Sequence, residues 1–322
     1  MEQIGLLHDG QIYDLQTAEA LNIKGDIIKA DDSKESLEIL RHSCAHMMAQ
    51  AIKELYPEAK FFVGPVVKEG FYYDFKVESK ISDEDLPTIE KKMKEIADRK
   101  LPITRYETTK EEFYEKFKND ELKQAVLKNI KDDTLTIYKQ GDFEDLCRGP
   151  HLPNTRMIRS FKLTRVAGAY LGGDEKNEMI TRIYGIAFFD KQALFDYTKM
   201  IEEAKKRDHR KLGTELELFT FNDDVGAGLP MWLPNGARLR SKLEHLLYKA
   251  HRIRGYEPVR GPEILKSEMW KISGHYANYK ENMYFTTIDE QEYGIKPMNC
   301  VGHIQIFKNS LVSYKDLPKK LF

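Results

Sequence analysis

Apolar side chains recur at helical spacing between Ser33 and Tyr56, where Leu37, Leu40, Cys44, Met47, Met48, Ala51 and Leu55 form one stripe. The run predicts a helix, with Asp32 as N-cap, Glu35 completing a capping box, and Pro57 ending it. His42 and His46 fall on roughly the opposite face, one turn apart. The period then changes. FFVGPVVKEGFYYDF (61–75) predicts a hairpin turning at Lys68-Glu69-Gly70. A charged amphipathic helix is expected over 83–99, further helical segments over 109–130, and a short strand from Thr134 to Tyr138. The turn-rich stretch GDFEDLCRGPHLPNT reads as a loop, and strands follow over 161–173 and 179–189. A helix over 191–212, polar on most faces and ending at Gly213, reads as a connector, which puts a domain boundary near residue 205. Beyond it lie a long helix, a strand entering Gly261-Pro262 and more strands. Residues 1–32 offer only the strand fragments Ile12-Tyr13 and Ile27-Ile28, too little for an independent domain.

Composition narrows the class. The 322 residues are 41% hydrophobic and 32% charged, with a net charge of −1. This is a globular composition with room for two domains. No apolar run approaches the ~20 residues a membrane helix needs. The N-terminus lacks the basic and apolar regions of a signal peptide, so the expected location is the cytoplasm and no membrane partner is expected. The near-neutral charge leaves room for a local basic patch but argues against a strongly basic nucleic-acid binder. Three cysteines, Cys44, Cys147 and Cys300, are too few and too odd in number for a disulfide framework.

Candidate chemistry gathers in two sequence clusters. His42-x3-His46 lies on the predicted helix, and Cys147-x3-His151 lies about a hundred residues later on the predicted loop. Two imidazoles one turn apart, faced by a second pair on a rigid loop, can hold zinc tetrahedrally or can position water and relay a proton. Taken singly, a histidine pair reads as solvated surface and Cys147 as a small buried hydrophobe.

RHSCAH, GFYYDF, EDLCRGPHLPNT, FKLTRVAGAYLGGD and RIYGIAF, in this order over residues 33–190, resemble the editing domain of threonyl-tRNA synthetases. That domain is shared more distantly with alanyl-tRNA synthetases and free-standing alanyl-tRNA editing proteins. The resemblance implies a pocket that hydrolyses tRNA mischarged with serine, with His42, His46, Cys147 and His151 at pocket positions and Asp145 and Lys123 beside them. The alanyl-type relatives hold zinc with such a set. The threonyl type works without it, so the set is assigned to substrate and water. Lys123 is expected to neutralise phosphate or hold the 3′-terminal adenosine, and Arg148 to contact phosphate or anchor the loop. The logic is a double sieve: serine lacks one methyl, which a synthetic pocket rejects only about 10–200-fold, so a second, tighter pocket removes the error.

Residues 205–322 resemble the start of a class II synthetase catalytic domain. RGYEPVRGPEIL resembles the first class II motif, with Pro262 at a dimer interface. GIKPMNC implies a threonine pocket at Met298 and a zinc ligand at Cys300, with Val301 where the motif commonly has proline. The expected fold class is therefore α+β: a reduced arm (1–32), an editing domain of antiparallel sheet with packed helices (33–204), and a partial class II antiparallel-sheet domain (205–322). The resemblance implies a full-length enzyme that binds threonine, ATP with magnesium, zinc and the tRNA for threonine, and that forms a homodimer. The chain is expected to stop before the second class II motif and the remaining zinc ligands, and so to keep editing but not charging. The alternatives are a stand-alone mischarged-tRNA hydrolase, or a non-enzymatic, zinc-stabilised RNA-binding module.

Overall fold

The N-terminal arm carries more structure than its pattern predicts. β1 (Gln3–His8) turns through Asp9 and Gly10, both at positive φ (48° and 77°), into β2 (Gln11–Asp14). Asp-Gly is the pair that accepts this hairpin geometry. After α1 (Leu15–Ala20), β3 (Asp26–Lys29) pairs with the other edge of β1, giving the order β2-β1-β3. Ile4 and Ile28 of this small sheet join the main core. The computed structural model describes residues 2–128, 130, 132–309 and 311–322. Its contacts divide the chain into a first unit running to Lys205 and a second, Lys206–Phe322. The arm lies within the first.

α2 (Lys34–Leu55) is the centre of the first unit. Its N-cap is Ser33, not Asp32. The Asp32 carboxylate instead accepts the Phe189 amide at 2.7 Å, a partner 157 residues away that no local pattern reveals. The helix is also not one-sided. Beside the expected stripe, Ser43, Ala45, His46, Ala49 and Gln50 are buried as well, because sheet and helix enclose it on several sides. A helix buried all round loses the amphipathic signature.

The hairpin forms as expected: β4 (Lys60–Phe61) and β5 (Val66–Val67) pair with β6 (Gly70–Lys76), and Val67 faces Gly70 across Lys68-Glu69. Phe71, Tyr73 and Phe75 alternate inward onto α2. α3 (Leu86–Asp98) follows, burying Ile89, Met93 and Ile96. Next come β7 (Ile103–Thr109), α4 (Lys110–Lys116), α5 (Glu121–Lys128), β8 (Thr134–Gln140) and β9 (Phe143–Leu146). β9 corrects the reading of 141–155 as loop throughout. A tight turn at Gly141 (φ 60°) folds it back on β8, so that Cys147 leaves directly from a strand end. β10 (Ser160–Tyr170) and β11 (Met179–Phe188) complete a sheet of order β10-β11-β6-β4, with β5 also on β6.

α6 (Lys191–Lys206) runs to the unit boundary, where the single helix expected over 191–212 breaks. Asp208 caps a new helix, α7 (His209–Glu215), by accepting the Arg210 amide at 2.8 Å. Gly213 does not end this helix. It is buried within it, where a Cβ would fall 2.4 Å from the Phe219 ring. The second unit continues with the pair β12 (Phe219–Thr220) and β13 (Met231–Trp232), then α8 (Pro234–Arg252). The strand expected to enter Pro262 instead follows it as β14 (Ile264–Lys266). α9 (Ser267–Ile272), α10 (His275–Tyr279), β15 (Phe285–Ile288), β16 (Gln291–Ile295) and α11 (Cys300–Lys308) complete the unit, with sheet order β14-β16-β15 over a small core of Trp270, Met283 and Val301. Mixed helix and antiparallel sheet make the chain α+β.

Candidate functional site

Helical geometry brings His42 and His46 to one face of α2, their rings edge-to-face with centroids 5.3 Å apart. The loop leaving β9 brings Cys147 and His151 against them. His151 lies 4.3 Å, centroid to centroid, from both His42 and His46. The Cys147 Sγ is 3.2 Å from Nε2 of His42 and 3.2 Å from Nε2 of His151. Ligand atoms of all four residues lie within 4.8 Å of one another. His46 and His151 are buried, while His42 and Cys147 are half-buried and form the open side.

Hydrogen bonding fixes the protonation of the His151 ring. The Ser43 hydroxyl donates to the Ile39 carbonyl at 2.9 Å and accepts the Leu152 amide at 2.8 Å. Its remaining lone pair faces Nδ1 of His151 at 3.2 Å, so that nitrogen carries the proton. The Pro150 backbone acts on His42 to favour its charged form. Nε2 of His151 is therefore an acceptor facing the Cys147 thiol, and Nε2 of His42 faces the same sulfur. Burial holds His42 down to about 4 and His46 and His151 well below the usual imidazole value, and it pushes the Cys147 thiol up.

Asp145 and Lys123 adjoin this cluster. Lys123 donates to Asp145 Oδ1, and the Tyr73 hydroxyl donates to Oδ2. The Lys123 charge is felt at His46 and at Cys147. Lys123 is 4% exposed and ion-paired, which corrects the expectation of a lysine free to meet phosphate. Arg148 is exposed and 3.3 Å from Asp132.

Three residues escaped sequence reasoning. Ser43 sits between the motif histidines, and Tyr73 lies in GFYYDF, so each stood in a quoted motif without an assigned role. Asp14 comes from the arm: its Oδ2 accepts the Tyr138 hydroxyl at 2.6 Å and the His151 amide at 3.0 Å. No spacing rule links positions 14 and 151.

The donor set fits a tetrahedral metal. Zinc takes imidazole nitrogen and thiolate at about 2.0–2.3 Å, and its imidazoles characteristically donate their other N–H to a neighbouring oxygen, as Nδ1 of His151 does. Hydrogen bonding around a water uses the same lone pairs. In the second unit, Cys300 begins α11 with the half-exposed Met298 nearby. Its Sγ is 3.4 Å from Nε2 of His275. Among the described residues no third ligand joins this pair.

Residues 135–184 match the family described as the threonyl and alanyl tRNA synthetase second additional domain. Across 321 residues the chain is 70% identical to a threonine–tRNA ligase of Campylobacter jejuni and 66% identical to one of Helicobacter hepaticus. Each match covers 100% of this chain and 53% of the relative. The chain thus spans about half the length of the curated relatives it matches. A crystal structure of the RNA binding domain of threonyl-tRNA synthetase from Cryptosporidium parvum is 48% identical over 36% of this chain and 29% of that one, at a TM-score of 0.35. Matched from end to end, the sequence is similar to about half of a threonine–tRNA ligase.

Proposed function

We propose that the first unit hydrolyses the ester joining serine to the tRNA for threonine, the editing half of a threonine–tRNA ligase. One observation carries this reading: Nε2 of His42 and Nε2 of His151 converge on a single thiol, each at 3.2 Å, in a largely buried cluster. An imidazole Nε2 of this cluster orients a water and takes up its proton as the water attacks the ester carbonyl. An imidazole held neutral is the state that can do so. An aminoacyl ester is already activated, so orienting water and stabilising the developing oxyanion suffice. Lys123, with three donors of which one goes to Asp145, is a cation felt at His46 and Cys147 and suits the latter role.

The match along the whole of this chain supports the wider reading: attachment of threonine at the expense of ATP with magnesium in the cytoplasm, with zinc and a threonine pocket around Cys300 and Met298 in the complete enzyme. Dimerisation is supported by α8, whose Leu239, Leu243, Leu246 and Leu247 are 46–61% exposed in the single chain. No described helix is long and apolar enough to cross a membrane. A stand-alone hydrolase is disfavoured, because the match continues through residues 206–322.

A second reading has its own observation. The donor set of His42, His46, Cys147 and His151 suits zinc, as in the alanyl-type relatives. Deacylation of seryl-tRNA and threonyl-tRNA, assayed beside metal content, separates the two. Editing without metal removes serine selectively from the apo chain. Activity that disappears with chelation and returns with zinc supports the metal.

A further inference from the structure

The arm meets the pocket through one buried carboxylate. Asp14 ends β2 and is 2% exposed. Its Oδ1 accepts the Thr17 amide at 2.8 Å as the N-cap of α1. Its Oδ2 accepts two donors of the pocket, the Tyr138 hydroxyl and the His151 amide. Tyr138 has given its only proton to Asp14, so its oxygen accepts the Thr17 hydroxyl at 3.0 Å. The Tyr138 ring lies 4.5 Å from that of His151. Apart from the bond they share, this carboxylate and phenol hydrogen-bond Thr17 of the arm and the His151 amide of the pocket loop.

Two further contacts bear on the same joint. Gly149, in the loop between Cys147 and His151, has φ 75°, and a Cβ there would fall 2.4 Å from the Tyr138 hydroxyl and 2.9 Å from Asp14 Oδ2. The loop thus lies so close upon the Asp14–Tyr138 pair that only glycine fits. Next to Asp14 in the arm, the Gln16 amide acts as a short strand. It donates to the Ile103 carbonyl at 2.5 Å and accepts the Arg105 amide at 2.7 Å along the edge of β7, the neighbour of β8 on which Tyr138 stands. The arm is therefore fastened to the sheet beneath the loop as well as to the loop.

We propose that the arm is a working part of the hydrolytic pocket, with Asp14 as a positioning residue that holds His151 and Tyr138 in register with His42 and Cys147. This rests on the hydrolytic reading above. A buried carboxylate taking a main-chain N–H from the loop fixes the height of the His151 backbone, while Ser43 fixes the direction of its ring. Removing the carboxylate leaves the His151 amide and the Tyr138 hydroxyl without an acceptor, and the loop shifts to satisfy them. A displacement of about 1 Å at such a site costs on the order of 10²-fold in rate without a comparable change in substrate affinity.

The test uses the full chain and two readouts. The first is single-turnover deacylation of seryl-tRNA, comparing wild type, Asp14→Ala, Asp14→Asn, His151→Ala and the double variant Asp14→Ala/His151→Ala. Asp14→Ala should slow the chemical step about ten- to a hundredfold at unchanged half-saturation. Asp14→Asn, which keeps an acceptor oxygen, should recover most of the loss. Asp14→Ala should add nothing once His151 is alanine, because a residue acting through His151 is silent without it. Loss of the same factor in both backgrounds, or wild-type rates in Asp14→Ala, would overturn the proposal. The second readout does not require activity: nitrogen-15 spectra of the histidine side chains. Asp14→Ala should move the His151 and His42 signals. If the wild type proves inert, the hydrolytic reading fails, and these spectra still decide whether Asp14 positions His151. Unmoved His151 signals would overturn that.

Discussion

The Ser43 hydroxyl stands 3.2 Å from Nδ1 of His151, and the same oxygen accepts the amide of Leu152, the residue after it. One side chain of the central helix thus fixes both the backbone and the tautomer of the opposing loop. Ser43→Ala leaves the Leu152 amide buried without an acceptor and frees the ring to exchange tautomers. The expected cost is about 1–3 kcal/mol, read from urea unfolding, together with a mixed His151 tautomer in nitrogen-15 spectra. A single unchanged tautomer would contradict the assignment.

Gly149→Ala tests how closely the loop must pack. The backbone there is left-handed and the new Cβ would meet the Tyr138 hydroxyl at 2.4 Å. Strain of about 1–3 kcal/mol is expected, with a loss of hydrolysis larger than the loss of stability explains. Chemical denaturation and a deacylation assay on the same preparation measure both.

The three pocket histidines make the fold sensitive to acid. Burial holds His42 down to about 4, and His46 and His151 well below their usual value. In the unfolded chain each titrates near 6.5. Between about pH 6.5 and pH 4 the unfolded chain therefore binds protons that the folded chain refuses, and unfolding becomes easier as pH falls. The thermal midpoint should be level above about pH 7 and decline below about 6.5. His42→Gln should flatten that decline. A midpoint unchanged down to pH 5 would show that the rings are charged in the fold.

Metal content separates the two cysteine sites. Among the described residues His275 is the one candidate ligand beside Cys300, so no stoichiometric zinc should depend on Cys300. Elemental analysis of wild type, Cys300→Ser and Cys147→Ser checks this. Zinc lost with Cys300→Ser would contradict it, and zinc lost with Cys147→Ser would move the first site to the metal reading.

Much of this site was legible before the structure. His42, His46, Cys147 and His151 were found because a helical period and a dense turn motif are local signals, and the structure brings all four together. What the sequence hid was long-range. Ser33 caps α2 because Asp32 is engaged by Phe189 from the far end of the unit. Asp14 reaches the pocket across 137 positions. The resemblance implies that Lys123 meets phosphate or the 3′-terminal adenosine, and only the fold reveals its burial against Asp145. The β9 strand hid in a stretch rich in glycine and proline, since four residues paired to β8 carry too little periodicity to stand out.

The central claim is that this cluster removes serine from tRNA. The direct measurement is the single-turnover rate of seryl-tRNA hydrolysis by the chain at saturating tRNA, beside threonyl-tRNA and beside His46→Ala and Cys147→Ala. The account predicts that the wild type clears seryl-tRNA and spares threonyl-tRNA, and that a variant lacking a group that handles the proton loses about 10²–10⁴-fold. A folded wild type that leaves seryl-tRNA intact, or full activity in both variants, would contradict it.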